Sequence, residues 1–252
     1  MSRKPLIAGN WKLNHLTAPA VETAAALKGM VAGVTGAEIV ICPVFTVLDA
    51  VGKVVAGSNV ALGGQNCYTK ESGAFTGEIS PQMLKDVGCT WVIIGHSERR
   101  QYFGETDALL NEKAKFARAS GLKVMFCIGE TLEERNGGQM NAVLERQMSK
   151  GLEGLSDADF DGLAIAYEPV WAIGTGVVAS PEQAQEAHAF VRGLVKKQFS
   201  AAIADAVRIQ YGGSVKPDNA KELMAKPDVD GFLVGGAALK ADSFAAIVKN
   251  AL

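Results

Sequence analysis

A glutamate closes an apolar run in Ala166-Tyr167-Glu168-Pro169-Val170-Trp171-Ala172-Ile173-Gly174-Thr175-Gly176, and a proline then opens a segment with glycines at its far end. One carboxylate on a rigid strand end, with a segment able to fold over it, suits a general base whose intermediate needs cover. Partial desolvation under that cover is expected to raise the pKa and basicity of Glu168. His96, in Gly95-His96-Ser97-Glu98-Arg99-Arg100, leaves a second apolar run and enters a short helix. A helix N-terminus disfavours imidazolium, so a neutral, hydrogen-bond-donating ring is expected. Lys12, two residues beyond Asn10, supplies a fixed positive charge that attracts an anion and stabilises an oxyanion. Gly212-Gly213-Ser214 and Gly235-Gly236, together with Gly174, offer backbone N–H groups of the kind that hold phosphate. A base, a neutral electrophile, a lysine and a phosphate cradle fit proton abstraction beside a carbonyl on a small phosphorylated sugar. The sequence has no metal-ligand cluster and no nucleotide loop, so no cofactor and no metal are expected.

Each residue alone has a plainer reading: a capping or salt-bridged glutamate, a structural histidine, a solvated lysine, a turn glycine. What changes the weighing is where they fall. Eight short apolar runs read as buried strands: Leu6–Gly9, Ile39–Cys42, Val60–Gly63, Trp91–Ile94, Val124–Ile128, Leu163–Ala166, Val207–Gln210 and Gly231–Val234. Helical patterns lie between them, over Thr17–Val31, Thr106–Ala119, Asn141–Leu152 and from Pro181 to about Phe199, with Lys216-Pro217-Asp218 and Lys240-Ala241-Asp242 opening the last two. The repeat of about 30 residues is that of a βαβ unit, which implies a parallel sheet. An open doubly wound sheet is the rival; eight strands without a linker favour closure. Asn10 and Lys12 then follow strand one, Gln65 and Asn66 strand three, His96 strand four and Glu130 strand five. Glu168 ends strand six, and the glycine pairs follow strands seven and eight. All face the end where barrels carry their chemistry. His15 and His188 have no such setting; His188 falls inside a helix, as a surface or packing residue.

The bulk properties agree. A chain of 252 residues suits one barrel domain, and 48% hydrophobic residues supply its core. The formal net charge of −2 argues against a general pull toward nucleic acid or an anionic membrane. The four cysteines, at 42, 67, 89 and 127, have no CxxC spacing and fit a reducing compartment. The N-terminal apolar stretch is too short for a signal peptide, and no apolar run reaches the ~18 residues of a membrane span, so a cytoplasmic protein is expected.

Taken together, these segments closely resemble the triosephosphate isomerase family. The matching stretches are Gly9-Asn10-Trp11-Lys12, Gly73 through Ser80, Ile94 through Arg100, Ala166 through Gly176, Tyr211 through Val215 and Leu233 through Ala237, in family order over essentially the whole chain. The resemblance implies an α/β fold, a closed eight-stranded parallel (β/α)8 TIM barrel spanning residues 1–252 as one domain. It implies interconversion of dihydroxyacetone phosphate and glyceraldehyde 3-phosphate through an enediolate, in glycolysis and gluconeogenesis. In that family, a standard case of chemistry tuned by environment, Glu168 would be the base, with His96 and Asn10 on the oxyanion and Lys12 on its charge. Gly174, Ser214, Gly235 and Gly236 would hold phosphate. Glu98 and Cys127 would stand behind the reacting groups, Ser97 would be a resting partner of Glu168, and Tyr211 and Ser214 would latch the lid. The resemblance also implies a homodimer in which loop Asn66–Ser80 enters the neighbouring subunit and brings Thr76 near the partner's site. Val177-Val178-Ala179, Ala238 and Asn14-His15-Leu16 depart from the family's usual residues.

A retaining glycosidase with Glu98 and Glu168 as its carboxylate pair is the competing enzyme class. It calls for an aromatic-lined groove, yet aromatics are 7% of the chain and the phosphate-type loops would have no use. A non-catalytic sugar-phosphate binder would not need Lys12, His96 and Glu168 together.

Overall fold

The computed structural model describes residues 3–173 and 179–252. Strands β1 (Leu6–Asn10), β2 (Glu38–Cys42), β3 (Val60–Gly64), β4 (Cys89–Ile94), β5 (Lys123–Ile128), β6 (Leu163–Tyr167), β7 (Arg208–Tyr211) and β8 (Gly231–Val234) form a closed barrel in chain order. Every neighbouring pair is parallel, β8 returning to β1. Both faces of each strand are covered, which is why the runs read as continuous rather than alternating. Leu6, Ala8, Val40, Trp91, Ile93, Met125 and Leu233 form one buried cluster with Cys42 and Cys127. The intervening residues, such as Ile7, Ile39, Val92, Phe126 and Ile165, pack with the helices in the other.

Closure depends on local chemistry at the last seam. Gly231 has φ +141, and a β-carbon there would overlap the Leu6 carbonyl, so only glycine lets β8 approach β1. The β7–β8 ladder is short, with one paired position, and side chains extend it. The buried Gln210 amide donates to the carbonyls of Leu6 and Phe232, at 3.1 and 2.9 Å, and the Asp230 carboxylate accepts from Ile209 N–H at 2.9 Å. At the opposite end from the site, Glu38 accepts from Trp91, Lys123 and Arg208. Burial pushes the Glu38 carboxyl up, but Arg208 and these donors outweigh it and hold it below the usual range.

The long helices fall where the periodicity puts them: Thr17–Val31, Asp107–Ala119, Met140–Gly151 and Pro181–Gln198. Lys216-Pro217-Asp218 does not open a helix; residues 217–219 form a turn and the helix is Ala220–Met224. Leu48–Val55, Pro81–Asp86, Leu132–Asn136 and Ala201–Ala206 are further helices, too short to show a periodic face in sequence.

His188 is a packing residue, fully buried in Pro181–Gln198 between the rings of Tyr167 and Tyr211. Its Nδ1–H donates to the Asp228 carbonyl at 3.1 Å. Burial brings its pKa down from 6.5 to about 4. The folded chain therefore keeps this ring neutral where the unfolded chain binds a proton. Its contribution is intact above pH 6.5 and declines as pH falls toward about 4. The expected loss over that window is about 3 kcal/mol. Urea melts from pH 7 to 4 should show a shallower pH slope for His188→Gln than for the wild type; equal slopes would clear His188 as the cause.

Candidate active site

Asn10 is the last residue of β1, and its side-chain oxygen accepts from the Lys12 N–H at 3.0 Å. That bond turns the chain sharply, and Lys12 sits at φ +50, an uncommon backbone region for a lysine. Gln65, from the end of β3, donates to the Lys12 carbonyl at 2.9 Å and holds the turn. The Lys12 ammonium reaches Glu98 at 2.6 Å, and its stem passes Gly235, where a β-carbon would lie 3.5 Å from Cε. Lys12 thus spans from the His96 loop to the loop after β8.

His96 caps the helix Ser97–Phe103 that follows β4. Its Nδ1 accepts from the Glu98 N–H at 3.2 Å, so the neutral ring carries its proton on Nε2. That Nε2 lies 2.9 Å from Glu168 Oε1. Glu168, buried just past β6, also accepts from the Ser97 backbone N–H at 2.9 Å through Oε2. The contact with Ser97 is thus made by its backbone amide.

The expected rise in the Glu168 pKa is reversed, and the His96 pKa also moves against burial. Burial pushes the Glu168 carboxyl up, but the charge and hydrogen bond of His96, with Ser97 N–H and Lys12, bring it below its usual value. Burial pushes His96 down, but the Glu168 carboxylate beside it raises it overall. Burial acts on each group as it would alone, but the base rests against the ring, and each stabilises the other's charged form. Cys127, on β5 and fully buried, is pushed far up by burial and then by the Glu168 charge next to it.

Asn10, Lys12, His96 and Glu168 line one cavity of about 260 Å³ with Ser214, Gly235 and Gly236. Gly212 sits against the base, where a β-carbon would be 2.8 Å from Glu168 Cγ. Tyr211 ends β7 and is buried; burial pushes its hydroxyl up to about 12, while the Ala179 backbone, just beyond the lid, acts on it in the other direction. Gly174 lies outside the described residues, as do Thr175 through Val178. Thr76 is on the surface, within an unbroken exposed stretch from Lys70 to Glu78. Among the described residues, no group of three or more His, Cys, Asp or Glu is arranged to hold a metal ion.

The sequence places Glu130 at a strand end without a specific part and does not single out Gly129 or Gln147. Glu130, fully buried beyond β5, accepts from Tyr167 at 3.0 Å, Trp171 at 2.9 Å and Arg135 at 3.2 Å. Arg135 also stacks 5.0 Å over the Trp171 ring. This hub pins the first turn of the lid segment, Val170–Ala172, to the end of β5. Gly129 and Gln147 stand behind Glu168. The buried glutamine on an otherwise amphipathic helix was the available signal for the last of these.

The family model described as triosephosphate isomerase matches residues 5–251. The chain is 58% identical over 247 residues to the triosephosphate isomerase of Geobacter metallireducens, covering 98% of each. It is 55% identical over 250 residues to that of Carboxydothermus hydrogenoformans, covering 99% of this chain and 100% of the relative. With that of Magnetococcus marinus it shares 57% over 251 residues, 98% of each.

Proposed function

The chain belongs to the triosephosphate isomerase family, and we propose from its site how it interconverts dihydroxyacetone phosphate and D-glyceraldehyde 3-phosphate, the isomerase step of glycolysis and gluconeogenesis. One observation carries the reading: a carboxylate, an imidazole and an ammonium from strands β6, β4 and β1 meet at one cavity edged by the glycines that follow β8. Glu168 takes the proton from the carbon next to the carbonyl, giving an enediolate, and returns it to the adjacent carbon, while the hydroxyl proton passes by way of His96 Nε2 to the former carbonyl oxygen. His96 Nε2–H and the Asn10 amide donate to the two oxygens, and Lys12 balances the developing negative charge. The phosphate is held by the backbone N–H groups of Ser214, Gly235 and Gly236 and of Gly174 in the lid. No redox partner is needed, because the electron pair stays on the substrate and the oxidation of one carbon is matched by the reduction of its neighbour. Covering the site keeps the enediolate from losing phosphate.

The test is a coupled assay of glyceraldehyde 3-phosphate conversion without added metal or cofactor. Turnover of this triose with none of unphosphorylated glyceraldehyde supports the assignment; equal turnover of both would sink the phosphate cradle.

The working unit of this reading is a homodimer in the cytoplasm. Leu13 is 96% and Leu16 81% exposed, and Phe75, Tyr102 and Phe103 are exposed as well, an apolar surface that a second subunit would cover. The loop Asn66–Ser80, exposed from Lys70 to Glu78, is the segment that would enter the partner, with Thr76 near its site. Four buried free thiols suit a reducing compartment, and no helix among the described residues is long and apolar enough to cross a membrane. Thr76→Arg is expected to yield a monomer in sedimentation with kcat down about 10²-fold, since Asn10 and Lys12 lose their support. A monomer with full turnover would show that each site is complete in one chain.

A further inference from the structure

We propose that Gln147 is a positioning residue that sets the placement of Glu168. The proposal rests on the reading of Glu168 as the base. Gln147 projects from the helix Met140–Gly151 and is buried beneath the end of β5. Its Oε1 accepts from the Gly129 N–H at 2.8 Å, and its Nε2 donates to the Gly129 carbonyl at 3.1 Å. One side-chain amide therefore clamps both polar groups of one residue, which fixes that residue's position and its rotation.

Gly129 in turn bears on the base. A β-carbon on it would overlap the Glu168 carbonyl and lie 3.3 Å from Glu168 Cα. The flanking bond is short as well, Glu168 N–H donating to the Ile128 carbonyl at 2.7 Å. On the other side Gly212 closes against Glu168 Cγ, and its N–H donates to the Tyr167 carbonyl at 2.7 Å. The backbone of Glu168 is thus held between two glycines, and the one on the β5 side is held by Gln147. A cavity of about 420 Å³ lies behind this contact, lined by Gln147, Gly129, Glu168, Ser97 and Val170. Without the amide clamp, Gly129 has room to move away from the base on that side. Gln147 touches no reacting atom; it acts through Gly129, and Ser214, Gly235 and Gly236 of the phosphate site stand on other strands. Its loss should therefore lower turnover and leave anion binding intact.

Gln147→Leu removes both bonds. The expected result is a kcat lower by about tenfold or more, with KM and inhibition by inorganic phosphate within about twofold of wild type. Gln147→Glu keeps the size, and only its protonated form has both a donor and an acceptor, so its kcat relative to wild type should rise as pH is lowered. Met148→Ala, the adjacent core position of the same helix, should lower Tm while retaining kcat. Glu168→Asp is assayed in parallel. Wild-type kcat in Gln147→Leu beside a crippled Glu168→Asp would overturn the proposal. Loss of kcat in Met148→Ala matching that of Gln147→Leu would overturn it too, as a general loosening of the barrel. Full activity in Glu168→Asp would instead strike the reading of Glu168 itself. If Gln147→Leu does not fold, the pH response of Gln147→Glu decides: a constant ratio to wild type would refute the clamp.

Discussion

Glu168→Asp is expected to lower kcat by about 10²-fold or more, with the affinity for inorganic phosphate nearly unchanged. The variant keeps the charge and draws the carboxylate back by one carbon–carbon bond, ~1.5 Å. Its backbone cannot follow, because it is bonded to Ile128 and packed between Gly129 and Gly212. Aspartate thus falls short of both the substrate carbon and its resting partners, His96 Nε2 and Ser97 N–H. Of the proposed phosphate-binding groups, Ser214, Gly235 and Gly236 stand on the loops after β7 and β8, away from the substituted side chain. Steady-state kinetics with phosphate as competitive inhibitor check this. Near-normal kcat would take the base role away from Glu168, and a matching loss of phosphate affinity would mean that the cradle and the base are not separate.

Lys12→Ala is expected to lower kcat/KM by about 10³-fold or more, through both constants. Two effects add. The ammonium lies between the His96 loop and Gly235, and on the proposed reading it would face both the oxyanion and the phosphate. Its removal also leaves Glu98 without its 2.6 Å partner, an unbalanced negative charge at the pocket where an anion must bind. Lys12→Met, with a stem of similar length, should recover little, since charge rather than packing is missing. An unchanged kcat/KM in the alanine variant would refute the role. A salt titration adds a second reading: the wild-type kcat/KM should fall with ionic strength more steeply than the variant's.

Much of this site could be read from the chain because barrels place function at strand ends, and strands are legible as short β-branched runs. Asn10, Lys12, His96, Glu168, Ser214, Gly235 and Gly236 all stand within a few residues of such a run, and they share a cavity. What was not legible depends on pairs distant in sequence. The pKa direction of Glu168 turns on His96, 72 residues away, and the two charges jointly outweigh the burial that either residue suggests alone. Likewise Glu130 reads as a lone acid until Tyr167, Trp171 and Arg135 are seen around it. His188 offered two readings, and only the neighbouring rings of Tyr167 and Tyr211 choose between them. The short helices escaped because one or two turns have no period to detect, and the Lys216-Pro217-Asp218 signal marked a turn that precedes its helix.

The resting geometry also bears on how tightly any ligand can bind. Three donors of the site already hold the protein's own acids: His96 and Ser97 hold Glu168, and Lys12 holds Glu98. An incoming oxygen therefore enters as a rival to two internal carboxylates, and the chain behaves as its own competitive inhibitor. The affinity seen in solution is the intrinsic affinity reduced by the fraction of molecules whose donors are free. That self-occupation filters ligands: an anion able to engage both the imidazole and the ammonium displaces both acids, whereas one that reaches only the glycine loops leaves the base parked and the chemistry idle.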